Sequence, residues 1–180
     1  MTLISEVDLD GVVINGVRIN RGEVLQAYER NLGSPSRSEM PGTPPPYGRR
    51  NNVLHFYDDL GLFLREHHAT CLIDGIDFLF EPDKCHFPTA SHYSGSLRVF
   101  GVEVRRGMLF AEFAARCEVS FTKHLGHAWF TDGERVSIQF EACTSKGKRP
   151  AQRDVMSALS VGFLGAGRPE SAPLRGGACG

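Results

Sequence analysis

Along this chain, apolar residues mostly recur at every second position in short runs, and only twice at helical spacing. Val12–Ile14 and Val17–Ile19 flank Asn15-Gly16. Asn-Gly between short alternating runs is a strong hairpin signal, because both residues tolerate positive φ. Asn20-Arg21-Gly22-Glu23 resembles a capping box, with Asn20 accepting an orphan helix N–H and Glu23 reaching back. The spacing then predicts a helix to Leu32, with Val24, Leu25, Tyr28 and Leu32 facing inward and Gly33 ending it. Strands follow at Val53–Tyr57, Leu62–Glu66, Cys71–Ile73 and Ile76–Phe80, with turns at Asp58-Asp59-Leu60-Gly61 and Asp74-Gly75. A second hairpin joins Leu97–Val99 to Val102–Val104, and a second helix covers Met108–Arg116 with Leu109, Phe110 and Phe113 inward. Glu118–Phe121, Ala128–Thr131 and Arg135–Glu141 complete the strands, with Asp132-Gly133 as a turn. Strands with one helix per group predict an α+β fold, and links too short for crossovers predict mainly antiparallel sheet.

The two groups read as an internal repeat. Anchored on Gly16 and Gly101, an offset of 85 pairs Ile14 with Val99, Val17 with Val102, Ile19 with Val104, Arg21 with Arg106 and Tyr28 with Phe113. An offset of 65 pairs Phe56 with Phe121 and Gly61 with Gly126, and one of 60 pairs Ile76 with Val136 and Phe80 with Phe140. Three blocks in one order favour duplication. The expectation is therefore one α+β domain over 1–144, built of tandem hairpin-helix-strand repeats at about 10–81 and 94–142. Residues 145–180, rich in Gly, Ala and Pro, read as a flexible, disordered basic tail, with a short helix near Arg153–Val161 as the lesser option. Ser34–Arg50, with Pro44-Pro45-Pro46 at its centre, forbids helix and paired strand and reads as a long loop.

Composition changes this picture little. The 180 residues are 41% hydrophobic and 23% charged, enough for a core without metal or disulfide. The formal charge is −1, from 20 basic and 21 acidic residues, which argues against a nucleic-acid or membrane-surface protein. Its distribution matters more: residues 145–180 carry net +4, leaving −5 on residues 1–144. No signal peptide and no membrane span is legible, so the expected location is cytoplasmic. The five cysteines lack any CxxC and read as free buried thiols.

Candidate chemistry is sparse. Cys85-His86 and His92 offer three metal ligands, one short of a closed zinc site, and His67-His68 face opposite sides of a strand. No catalytic or phosphate-loop motif occurs, so neither a metal nor a cofactor is expected. Asp58 and Asp59 suit a turn, where aspartate bonds its own backbone. Trp129, the single tryptophan, aligns with Leu64 and reads as a core residue, with an interface anchor as the other option.

The succession Leu32-Gly33-Ser34-Pro35-Ser36-Arg37, Phe56-Tyr57-Asp58-Asp59-Leu60-Gly61 and Tyr93-Ser94-Gly95 resembles a family of uncharacterised bacterial proteins. They are encoded in polymorphic-toxin and type VI secretion neighbourhoods. The resemblance covers about residues 10–142 and implies an immunity protein, a non-enzymatic module that occludes a cognate toxin. It supplies no catalytic residues. Candidate partner contacts are Tyr57, Asp58 and Asp59, then Asp132 and the loop of Tyr47. The alternative is a small enzyme or ligand-binding protein with a His/carboxylate pocket between the repeats, drawing on His55, His92, His124 or His127. A further alternative is an effector adaptor or chaperone.

Overall fold

The computed structural model describes residues 3–19, 22–40, 52–82, 89–124, 127–131, 136–143 and 155–163. The first hairpin forms as its Asn-Gly requires. β2 (Gly11–Ile14) and β3 (Val17–Ile19) are joined by Asn15 at φ 50° and Gly16 at φ 81°. A strand not expected from the sequence, β1 (Ile4–Asp8), pairs with β2. β4 (Arg37–Glu39), β5 (Asn52–Tyr57), β6 (Leu62–His67) and β7 (Leu72–Leu79) follow. The second hairpin is β8 (Ser96–Val99) with β9 (Val102–Val104), turned at Phe100 (φ 50°) and Gly101 (φ 75°). β10 (Thr122–His124), β11 (His127–Thr131), β12 (Val136–Cys143) and β13 (Val155–Phe163) end the described chain.

These strands form two sheets. A five-stranded sheet has the order β3-β2-β1-β8-β9, and an eight-stranded sheet the order β10-β11-β12-β13-β7-β6-β5-β4. Every strand pair is antiparallel except β1 with β8, where Ile4 lies opposite Ser96. That parallel pair joins the two hairpins into one sheet. The fold is α+β and mainly antiparallel, as the alternation implies.

Two helices pack beside the small sheet. α1 (Leu25–Leu32) buries Tyr28 and ends on Gly33 at φ 79°. Its N-cap is Val24, with no side-chain capping bond, so the expected box at Asn20 and Glu23 does not start it. α2 (Phe110–Arg116) buries Phe110 and Phe113, and Phe113 stacks 4.6 Å from Phe140 of β12. The main core gathers Val7, Val12, Leu97 and Val99 of the small sheet, Leu62, Leu64, Ile76, Phe78 and Leu159 of the large sheet, and both helices. The opposite face of the large sheet holds a smaller cluster of Leu54, Phe56, Phe63, Leu79 and Ala158.

Four expectations need correction. Residues 155–163 are not part of a disordered tail: β13 sits in the middle of the large sheet, between β12 and β7. The small residues Ala158, Ser160 and Gly162 dilute the apolar signal while Leu159, Val161 and Phe163 fill the core. They are small because β13 lies beneath other side chains; a Cβ on Gly162 would meet Ser137 Oγ at 2.6 Å. Second, Asp74-Gly75 is no turn but the interior of β7. The Arg65 guanidinium packs over Gly75, where a Cβ would lie 2.1 Å from Nη2 and push that side chain aside. Third, Trp129 is not core: it is 36% exposed, whereas Leu64 is fully buried. The expected loop over Ser34–Arg50 is also corrected at its start, where Arg37–Glu39 form β4 and pair with β5, while residues 41–51 and 164–180 lie outside the described residues.

Candidate functional site

The candidate contacts of the β5–β6 turn divide by burial. Tyr57 is 3% exposed and belongs to the core, which corrects its place as a partner contact. Burial drives its hydroxyl far above the usual tyrosine range, with the Glu29 charge adding to the rise. Asp58 is a clamp. Its carboxylate accepts from Arg37 Nε at 3.0 Å and from the Ala90 N–H at 3.2 Å. Its own N–H donates to Ser36 Oγ, and its carbonyl accepts from Ser91 N–H. The pair with Asp58 raises Arg37, whose guanidinium also bonds Glu39 and lies 3.7 Å over the Phe56 ring. The turn carboxylate thus ties three chain segments together. Asp59 is exposed. Asp132 and Tyr47 lie outside the described residues.

A groove opens beside this clamp. It encloses about 260 Å³ and is lined by His92, Tyr93, Glu103, Arg105 and Arg106 among others. Arg106 Nε pairs with Glu81 at 3.1 Å. Tyr93 forms the wall: its hydroxyl donates to Ser5 Oγ, and burial pushes it up to about 12 while that bond pulls the other way. Gly61 lets the wall close, since its Cβ would strike Tyr93 N at 2.1 Å. His92 and Glu103 therefore share a groove. The volume is below the roughly 300 Å³ at which small-molecule sites begin.

His55 is elsewhere. It is buried between Ser38 on β4 and Glu66 on β6, with Ser38 Oγ 2.8 Å from Nδ1 and Glu66 Oε2 3.2 Å from Nε2. This cross-strand ladder satisfies a buried imidazole and pins the short edge strand β4 to the sheet. The side chains of His124 and His127 are outside the described set. Among the described residues no group of three His, Cys, Asp or Glu could hold a metal ion. Among the described residues no helix is long and apolar enough to cross a membrane.

The sequence reading missed the outer face of the large sheet. Register places Trp129 of β11 opposite Gln139 of β12, Gln139 opposite Ser160 of β13, and Ser160 opposite Asp77 of β7. The adjacent row runs Thr131, Ser137, Gly162, Gly75 and Arg65. Asp77 accepts from Ser160 Oγ, and Arg65 Nη2 donates to Val161 O at 3.1 Å. Arg65 Nε lies 3.1 Å from Asp77 Oδ2, an ionic contact whose N–H is not aimed at the oxygen. The result is a platform of small and polar side chains, anchored by an ion pair, with exposed Trp129 and Gln139 at one end. The available signal was the alternation of β13, in which Ala158, Ser160 and Gly162 all point to one side.

The cysteines also depart from expectation. Cys117 is free, half-buried, and pushed by burial to about 11. Cys71 is disulfide-bonded, contrary to a set of free thiols.

A family model described as Domain of unknown function (DUF7738) matches residues 6–114, more than half of the chain. No curated protein and no solved structure matches.

Proposed function

The chain belongs to the DUF7738 family, and we propose that it is a non-enzymatic protein-binding module of the immunity type, which neutralises a toxin by covering it. The observation that carries this reading is the outer face of the eight-stranded sheet. A single exposed tryptophan beside a flat polar platform matches how interfaces are built: an aromatic anchor amid small groups that exclude water. The rigid support below it, Arg65 with Asp77 and Ser160, holds the surface in one shape and lowers the ordering cost of binding. We take Trp129, with Gln139 and Thr131, as contacts, and keep Asp59 as a rim residue. The clamp role of Asp58 argues against it as a contact.

We also read the chain as tandem repeats, with β2-β3-α1 answering to β8-β9-α2. Hairpin followed by helix in both, with glycine at positive φ in each hairpin turn, supports that reading. Charge lends less support than the sequence implied. Residues 164–180 carry Arg168, Arg175 and Glu170, net +1, so residues 1–163 carry only −2. Steering of a basic toxin by an acidic body is correspondingly weak.

Co-expression with the product of the neighbouring gene tests the proposal. The expected outcome is that the product arrests growth alone and that this chain restores it. A harmless product, or arrest that persists with this chain present, overturns it. The groove holding His92 and Glu103 favours a second reading, a small-ligand site. Its volume suits one or two side chains better than a cofactor.

A further inference from the structure

Ser38, His55 and Glu66 stand in one line across three strands. Register sets Ser38 of β4 directly opposite His55 of β5, and Val53, two residues before His55, opposite Glu66 of β6. Residues opposite one another, or two apart on a strand, share a face of the sheet, so the three side chains meet. Ser38 Oγ lies 2.8 Å from His55 Nδ1, and Glu66 Oε2 lies 3.2 Å from His55 Nε2. Burial changes along the line: His55 and Glu66 are buried, whereas Ser38 is exposed.

The proton positions follow from the partners. A carboxylate only accepts, so Glu66 takes the Nε2 proton. A neutral imidazole then presents a lone pair at Nδ1, and Ser38 is the donor there. From the other face, Arg37 and Glu39 bond each other, and Arg37 bonds Asp58 at 3.0 Å over the Phe56 ring. Those contacts hold β4 with Ser38 aimed at His55. Satisfying a buried imidazole needs no hydroxyl within reach of solvent. A hydroxyl on a base, with the base on an orienting group, is the arrangement that activates a nucleophile.

We propose that Ser38 is a nucleophilic serine, a modification site that takes up one acyl group from an activated ester. In that step the ester carbonyl carbon bonds to Ser38 Oγ and the bond from that carbon to the leaving oxygen breaks. The Ser38 proton passes to His55 Nδ1 and from there to the leaving oxygen. His55 is the base, and Glu66 is a positioning residue that holds its tautomer. The reaction is stoichiometric, one group per chain, and stands independently of the immunity reading.

The test is labelling of the full chain with an alkyl fluorophosphonate, in which phosphorus takes the place of the acyl carbon and fluoride leaves. Intact mass and peptide mapping read the adduct. The expected result is one adduct per chain, on Ser38, absent from Ser38→Ala and about 100-fold slower to form in His55→Gln, the scale of general-base assistance. The chain unfolded in urea is expected to react as slowly as His55→Gln. No adduct on Ser38 of the folded chain, while an added serine hydrolase is labelled, overturns the proposal. Equal rates at Ser38 in the folded and unfolded chains overturn it too. The ¹⁵N resonances of the His55 ring give a readout that needs no variant: the proton is expected on Nε2, and a proton on Nδ1 contradicts the role of Glu66.

Discussion

At the residue scale, three glycines separate steric clash from backbone preference. A Cβ at Gly61 would meet the backbone of Tyr93 and His92, and its φ is +68°. At Gly75 the obstacle is the far end of the Arg65 side chain, and at Gly101 there is open space but φ is +75°. Substitution by alanine is expected to cost about 3 kcal/mol or more at Gly61, about 1–2 at Gly75 and about 1 at Gly101. Urea unfolding checks the order, and equal losses at Gly61 and Gly101 would contradict the close approach of the 92–93 segment. The Asp8–Arg18 pair gives a pH prediction. The Arg18 guanidinium, 2.7 Å away, holds the Asp8 carboxyl below the usual carboxylate range despite partial burial. A lowered folded value means the stability is full above about pH 4 and is lost as pH falls through the folded value. Asp8→Asn should therefore cost under about 1 kcal/mol at neutral pH, since the pair is well exposed. Its difference from the parent should vanish in acid. Tyr28, Tyr57 and Tyr93 act at the other extreme. Burial raises all three, Tyr93 to about 12. The unfolded chain ionises them near pH 10, so stability falls as pH rises from about 10 to 12. Absorbance at 295 nm should show three of the four tyrosines titrating only above the free value, and more than one tyrosine titrating near pH 10 in the folded protein contradicts their burial.

At the element scale, hairpins and helices were legible because glycine and apolar spacing act locally. Asn15-Gly16 and the Phe100-Gly101 turn set φ by themselves, and Gly33 stops α1. Elements set by distant partners were not legible. β4 has three residues and is held by Arg37 on Asp58 and by Ser38 on His55, contacts that no local pattern displays. β13 reads as a Gly/Ala/Ser stretch until Arg65 and Ser137 are placed above it. Asp74-Gly75 has turn chemistry but lies between two strands that override it. The candidate site divided the same way: Asp58 belongs to the turn expected for it, yet works as a clamp, and the Trp129 platform needed the sheet order to be visible. A chain ending at residue 144 lacks the strand that joins β12 to β7. It is expected to lose cooperative unfolding in circular dichroism, while one ending at residue 163 keeps it. A folded 1–144 chain contradicts the central place of β13.

At the scale of the whole molecule, the two sheets and two helices of the described residues enclose one main core. That leaves the other face of the large sheet to carry a small apolar cluster and a polar platform. On the proposed reading, a near-neutral chain meets its partner through surface fit more than through its field, so moderate salt should weaken that binding little. The central claim is that the face bearing Trp129 meets the partner. Because the chain holds one tryptophan, 5-fluorotryptophan labelling gives a single ¹⁹F resonance. The deciding measurement is that resonance during titration with the neighbouring gene's product. The account predicts that it shifts as the complex forms and that Trp129→Ala abolishes binding while leaving the fold intact. An unmoved resonance in a chain that has demonstrably bound its partner contradicts the account.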